Sequence, residues 1–116
     1  MGEAMTSLNL TTLNELKEML EEGLDELLDE YLIDTPSQLA QLREAVEAGD
    51  INAIASVAHT LKGSSGNLGI NAVYLLCQEL EQEAKAGELC DGAGNVAAIE
   101  AAFSQAKDDL AVFKAG

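Results

Sequence analysis

Along Ile54, Ala58, Leu61, Ser65 and Leu68 the apolar or small positions are spaced by 4, 3, 4 and 3 residues. That rhythm keeps one stripe of an α-helix turned toward a neighbouring helix; a strand, with its period of two, cannot use it. The same spacing recurs elsewhere, and glycines punctuate the segments. A first short helix, capped by Thr11 or Thr12, would carry Leu13, Leu16, Met19 and Leu20 on its apolar face, with Gly23 as a weak break. A long helical pattern then runs from about Leu24 to Ala48 through Leu27, Leu28, Tyr31, Leu32, Leu39, Leu42 and Val46. Pro36 lies inside it, so this helix either kinks there or stops and restarts with Thr35 as N-cap and Pro36 at the first helical position. Gly49 ends the segment, and Asp50 reads as the N-cap of the third helix, Ile51 to about Leu68, closed by Gly69.

A fourth helix is expected from about Asn71 to Ala86, with Val73, Leu76, Cys77, Leu80 and Ala84 inward and Gly87 as its stop. The stretch Glu88 to Gly94 reads as a loop. A fifth helix, about Asn95 to Lys114, turns Ile99, Phe103, Ala106, Leu110 and Phe113 inward. No strand signal competes with these patterns. The fold class expected is all-α: an up-down four-helix bundle with an additional short N-terminal helix over one end, monomeric. Residues 1–9 form a flexible N-terminal tail in this reading, and residues 10–116 form the bundle domain.

The chain has 116 residues, enough for one domain. Its core must be aliphatic, because there are two Phe, two Tyr and no Trp. A net charge of −15, from 21 acids against 6 bases, makes nucleic acid and anionic membrane poor partners. Cys77 sits on an apolar helical stripe and reads as a small buried hydrophobe, whereas Cys90 lies near a loop, so no disulfide framework is expected. No apolar run approaches the roughly 20 residues a membrane helix needs. The acidic start, Met1-Gly2-Glu3-Ala4, does not resemble a signal peptide, and the expected compartment is the cytoplasm.

Against this background His59, the only histidine, stands out within Ala58-His59-Thr60-Leu61-Lys62-Gly63-Ser64-Ser65-Gly66. With the apolar seam of the third helix at 0°, His59 falls at about 140°, and Ala55, Gly63 and Gly66 flank it within about 40°. The imidazole should therefore face solvent on a strip of very small side chains. Each glycine in a helix costs about 0.8–1 kcal/mol relative to alanine. Their concentration opposite the core suggests a need for flat backbone rather than close packing between helices. Lys62, at about 80°, stands beside the ring, where its ammonium can offset charge placed there. Imidazole nitrogen is a nucleophile near neutral pH, so one exposed histidine can carry a covalent intermediate.

The string His59, Lys62, Gly63, Ser64, Ser65 and Gly69 resembles the motif of the histidine-containing phosphotransfer (HPt) domain of multistep two-component phosphorelays: His, Lys at +3, Gly at +4, small residues at +5 and +6, Gly at +10. The resemblance extends through the helix order and the Cys77-Gln78-Glu79-Leu80-Glu81 region, from about Leu13 to Phe113. It implies that His59 accepts a phosphoryl group from an aspartate on a receiver domain and passes it to another receiver. The partners would be response-regulator receiver domains and a hybrid sensor histidine kinase. Lys62 would stabilise the phosphoryl charge, and Ala55, Gly63, Ser64, Gly66 and Gly69 would form the partner-docking surface. Glu81, 22 residues after His59, occupies the position where the family often places a Gln or Glu that orients the ring. Lys85 matches a basic residue found in some members; a plain Glu81–Lys85 surface pair accounts for Glu81 equally well and is the preferred reading of Lys85.

No Gly-x-x-x-x-Gly-Lys-Ser/Thr run is present, so the chain is expected to be a phosphocarrier and not a kinase. No cofactor or metal is expected on this chain; Mg²⁺ would come with the partner receiver domain. Three other readings compete. A helical bundle could bind a signalling partner without phosphotransfer. A metal-binding bundle fits poorly, since one His and two distant Cys do not make a ligand set. A kinase dimerisation domain would place its histidine in a two-helix hairpin rather than on the third of five helices.

Overall fold

The computed structural model describes residues 7–115 of the chain. They form five helices: α1 (Leu10–Leu20), α2 (Glu22–Ala48), α3 (Ile51–Asn67), α4 (Asn71–Ala86) and α5 (Gly92–Ala115). The described residues contain no strand. Short turns join α2 to α5 in sequence. Each of these helices packs against its sequence neighbours, and α2 packs against α5, which closes an antiparallel ring. The tightest pairing is α3 with α4, the two helices that flank His59.

Local chemistry accounts for the boundaries. Asp50 accepts the Ala53 N–H at 3.1 Å and caps α3. Gly49 and Gly87 close α2 and α4 in the left-handed conformation, at φ 69° and 71°. Three expectations need correction, at the α1 cap, the α1–α2 break and the start of α5, and at Pro36 one of two alternatives is excluded. The cap of α1 is Asn9, not Thr11 or Thr12; its side chain accepts the Thr12 N–H at 3.1 Å. The break between α1 and α2 falls at Glu21 (φ 53°), a region that costs a non-glycine residue steric strain, and Gly23 lies inside α2. Helix α2 runs unbroken through Pro36, which stands on the exposed side, while Thr35 is buried within the helix and does not restart it. Helix α5 begins at Gly92, so the loop is shorter than Glu88–Gly94; Asp91 accepts the Gly94 N–H at 2.9 Å at its start.

Residues 7–9 are packed rather than loose. The Asn9 N–H donates to the Gly69 carbonyl at 2.7 Å, the Ser7 carbonyl accepts from the Ala72 N–H, and Ser7 and Leu8 are buried. The tail expected over residues 1–9 therefore does not extend to Ser7–Asn9, and residues 1–6 lie outside the described residues. From Gly69, α1 crosses the end of the bundle toward α5, where the Lys17 ammonium lies 5.6 Å from the Phe113 ring centre. Leu13 faces the core, but Met19 and Leu20 are exposed, as is Leu27 of α2.

The core is aliphatic, built from Leu28, Leu42, Ile54, Leu61, Val73, Leu80, Ile99 and Leu110 among others. Cys77 is a buried free thiol whose pKa burial pushes up to about 12, and Cys90 is exposed and free. One polar pair crosses the core: the Tyr31 hydroxyl and Ser65 Oγ lie 2.8 Å apart. Burial pushes the Tyr31 phenol up to about 12, with the Ser65 hydrogen bond working the other way. Tyr31→Phe leaves the fully buried Ser65 hydroxyl without that partner and should destabilise the fold by about 1–2 kcal/mol in urea unfolding. Adding Ser65→Ala should recover part of the loss, because both ends of the bond are then gone; a double variant no better than Tyr31→Phe would assign the cost to packing.

Candidate functional site

The α3 rotation set by Ile54, Ala58, Leu61 and Ser65, all buried, turns His59 outward. Its side chain is 66% exposed. The wheel drawn from sequence predicts that orientation, and the structure has it. Antiparallel packing of α4 brings Glu81 across to the ring, with its carboxylate Oε2 2.9 Å from His59 Nδ1. Glu81 is itself buried, its side chain only 5% exposed.

Two lysines share that carboxylate. Lys62 Nζ lies 2.8 Å from Oε1, and Lys85 Nζ lies 2.8 Å from Oε2. Glu81 is thus the hub of the site, touching every charged group in it. The hydrogen bonds from Lys62 and Lys85 hold its pKa down to about 2 against the opposing effect of burial. Lys62 is raised in turn, chiefly by its hydrogen bond to Glu81. A carboxylate that stays ionised can only accept, so Nδ1 must be the donor. In the neutral ring, Nε2 then carries the lone pair.

The surroundings separate the glycines by role. A Cβ on Gly63 would meet nothing within 4 Å, so no internal contact requires glycine there. A Cβ on Gly66 would lie 2.9 Å from Tyr74 Cδ1, so Gly66 lets the α4 tyrosine lie against α3. Gly69 is buried, adopts φ +75°, and would place a Cβ 3.1 Å from the Asn9 carbonyl. It closes the α3–α4 turn and seats the N-terminal segment. Gly69 is therefore removed from the exposed strip to which sequence assigns it, because a buried residue offers no docking surface. Ala55, Gly63, Ser64 and Gly66 keep at least partial exposure.

Sequence reasoning places His59, Lys62 and Glu81 together, and the structure joins them. It adds Lys85: the i,i+4 pair with Glu81 exists, but on the same oxygen that holds the ring. The approach of Tyr74 to Gly66 has no signal in sequence spacing, since it depends on how α4 packs. Among the described residues, no three of His, Cys, Asp and Glu cluster as metal ligands.

The comparisons with known proteins point one way. The family model of the Hpt domain matches residues 26–109. Histidine-containing phosphotransfer protein B (HptB) from Pseudomonas aeruginosa PAO1 is 33% identical; the match covers 86% of this chain and 87% of that one, with a TM-score of 0.83. The histidine-containing phosphotransfer protein MtHPt2 from Medicago truncatula shares the fold at 21% identity and a TM-score of 0.82, over 97% of this chain and 81% of that one. No curated protein matches the chain significantly. With its lone imidazole outward on α3 of a helical bundle, the chain belongs to the Hpt domain family and is a phosphorelay intermediate that carries phosphate on histidine.

Proposed function

We propose that His59 Nε2 takes a phosphoryl group from the aspartyl phosphate of one receiver domain and gives it to an aspartate of another. The observation that carries this is the 2.9 Å contact from Nδ1 to an ionised Glu81, which leaves Nε2 as the nucleophile on the exposed edge of the ring. The N–P bond forms as the acyl P–O bond breaks, and the partner's aspartate leaves as a carboxylate. Nε2 has no proton to lose in this tautomer, so no general base is needed. Attack leaves positive charge on the ring, which the Glu81 carboxylate offsets through Nδ1–H.

Lys62 has three N–H donors and spends one on Glu81, so it retains donors for the phosphoryl oxygens. Catalysis here is positioning and charge balance, with the divalent cation contributed by the receiver domain at its own aspartate. In this reading the chain is a carrier without a kinase site. It acts as a monomer in the cytoplasm; no helix of the described residues is long and apolar enough to cross a membrane. The identity of the kinase-linked donor and of the final acceptor is a matter of docking, not of chemistry at His59.

Incubation with purified, phosphorylated receiver domains should move label onto the chain as an acid-labile, alkali-stable phosphate. Phosphate that survives acid would place it on another residue type, and no transfer from any receiver would leave a binding module without phosphotransfer. Gly63 tests the docking strip separately. Gly63→Ala should raise the unfolding free energy by about 1 kcal/mol, since it improves helix propensity in open space. It should also slow transfer, because the new methyl stands one turn beyond His59. A variant that is more stable and equally fast would remove Gly63 from the contact surface.

A further inference from the structure

Helices α1 and α2 are joined by a single residue, Glu21. Its backbone sits at φ 53°, ψ −119°, close to the mirror image of an extended conformation, which glycine adopts freely and a residue with a Cβ adopts only under strain. The hinge is also poorly capped. No side chain accepts from the first N–H groups of α2, and Glu18 and Glu21 stand at the C-terminal end of α1, where the helix dipole disfavours acids. The apolar positions ignore the bend. Leu13, Leu16, Leu20, Leu24, Leu27 and Tyr31 are spaced by 3, 4, 4, 3 and 4 residues, which is one stripe of an uninterrupted helix. The bend splits that stripe: Leu13, Leu24 and Tyr31 are buried, while Leu20 and Leu27 are 38% and 41% exposed. The two ends of α1 are held unequally. At the first, the Asn9 N–H donates to the Gly69 carbonyl, the Ala72 N–H donates to the Ser7 carbonyl, and Leu8 and Leu13 are buried. At the second, Met19 is exposed, and a hollow of about 410 Å³ opens between Lys17, Leu24 and Phe113.

Straightening Glu21 would join α1 and α2 into one helix from Leu10 to Ala48. It would relieve the strained residue, pair the last carbonyls of α1 with the first N–H groups of α2 and restore the stripe. It would also carry Leu8 and Leu13 out of their own core, a loss that a lone chain cannot recover. A second copy in the same state offers the seat that its own α1 has vacated. Every contact of Ser7–Asn9 can be remade there: Gly69 has no Cβ to block the Asn9 carbonyl, and the Ala72 N–H and the core around Leu13 are the same. We propose that the chain forms an exchanged dimer, in which α1 and Ser7–Asn9 of each copy swing out at Glu21 and occupy the α1 seat of the other. Short hinges under strain favour such exchange. The closed monomer prevails in dilute solution, because only the dimer depends on concentration. In the dimer, the hollow beside Lys62 is completed by the other copy, since Asn9 and Thr12 line it. His59 stays exposed in both states, because the buried seam of α3 does not change.

Glu21 tests the exchange in two directions, and its exposure lets both variants keep the fold. The full chain is concentrated, incubated below its unfolding temperature and measured by size-exclusion chromatography with light scattering. Glu21→Gly accepts the bent backbone without strain and disfavours a continuous helix, so it should lower the dimer association constant about 10-fold or more. Glu21→Ala keeps the strain and favours the continuous helix at both hinges, so it should raise that constant about 3-fold or more. A mixture of ¹³C-labelled and unlabelled chains identifies the contact. In isotope-filtered spectra of the dimer, the Leu13 methyls of one copy should lie against core methyls of the other. The proposal is overturned if wild type and Glu21→Ala both stay monomeric in the millimolar range, or if Gly and Ala move the constant in the same direction. It is equally overturned if Leu13 contacts in the dimer are confined to one chain, the signature of two closed monomers associating by their surfaces.

Discussion

His59→Gln should abolish phosphoryl acceptance and leave the fold unchanged. Loss of function should be complete because the chain has no other imidazole to take over, and an amide nitrogen is not a nucleophile. Retention of the fold follows from position. The His59 side chain is 66% exposed, and its one polar contact is with Glu81, which keeps both lysines when the ring is gone. Surface substitutions of this kind usually change stability by less than about 0.5 kcal/mol. The glutamine amide can still donate toward Glu81, so the carboxylate is not stranded. The measurement pairs thermal unfolding with transfer from a phosphorylated receiver domain. Label retained on the variant would place the phosphate elsewhere and end the assignment. A variant that both unfolds early and fails to take label would mean that the ring holds α3 against α4, contrary to its exposure.

That the ring faces outward was legible before any coordinates, because it depends on one helix and its 3.6-residue period. The buried seam of Ile54, Ala58, Leu61 and Ser65 fixes the rotation of α3, and His59 follows from it. The helix ends at Gly49, Asp50 and Gly87 were legible for the same reason: capping is a matter of two to four adjacent residues. Where the reading failed, the deciding contact came from elsewhere in the chain. Asn9 rather than Thr11 or Thr12 caps α1 because the Gly69 carbonyl pins its backbone. Gly69 looked like part of an open strip, since nothing local says that the N-terminal segment lies on it. Leu27 and Met19 fit an apolar stripe yet stay exposed, because α1 covers one end of the bundle and not its length. Glu81 and Lys85 show both cases at once. Their i,i+4 pairing is a property of α4, but the convergence of Lys62 and His59 on the same carboxylate exists only once α3 and α4 are packed.

That convergence makes Glu81 the second large prediction. Glu81→Ala should slow phosphoryl transfer about 10- to 100-fold, by analogy with the loss seen when the partner that orients a metal-ligating imidazole is removed. Without the carboxylate, Nδ1 loses its acceptor, the ring rotates, and Nε2 no longer holds the lone pair in every neutral molecule. Glu81→Gln should be milder, since its amide oxygen can still accept from Nδ1. ¹⁵N shifts of the ring separate these effects from a general structural defect: the wild type should report a single Nδ1–H tautomer, and Glu81→Ala a mixture. Stability supplies an independent check. The folded pKa of Glu81, about 2, lies below its ordinary value of 4.5, so its ionised form stabilises the fold above roughly pH 4.5 and loses that contribution as pH falls toward 2. Wild type should therefore exceed Glu81→Gln in denaturant midpoint at neutral pH, and the two should converge between pH 4.5 and 2. A gap that stays constant over that window would mean that the carboxylate is not held by Lys62 and Lys85 in solution. An unchanged transfer rate in Glu81→Ala would show that His59 needs no partner to aim it.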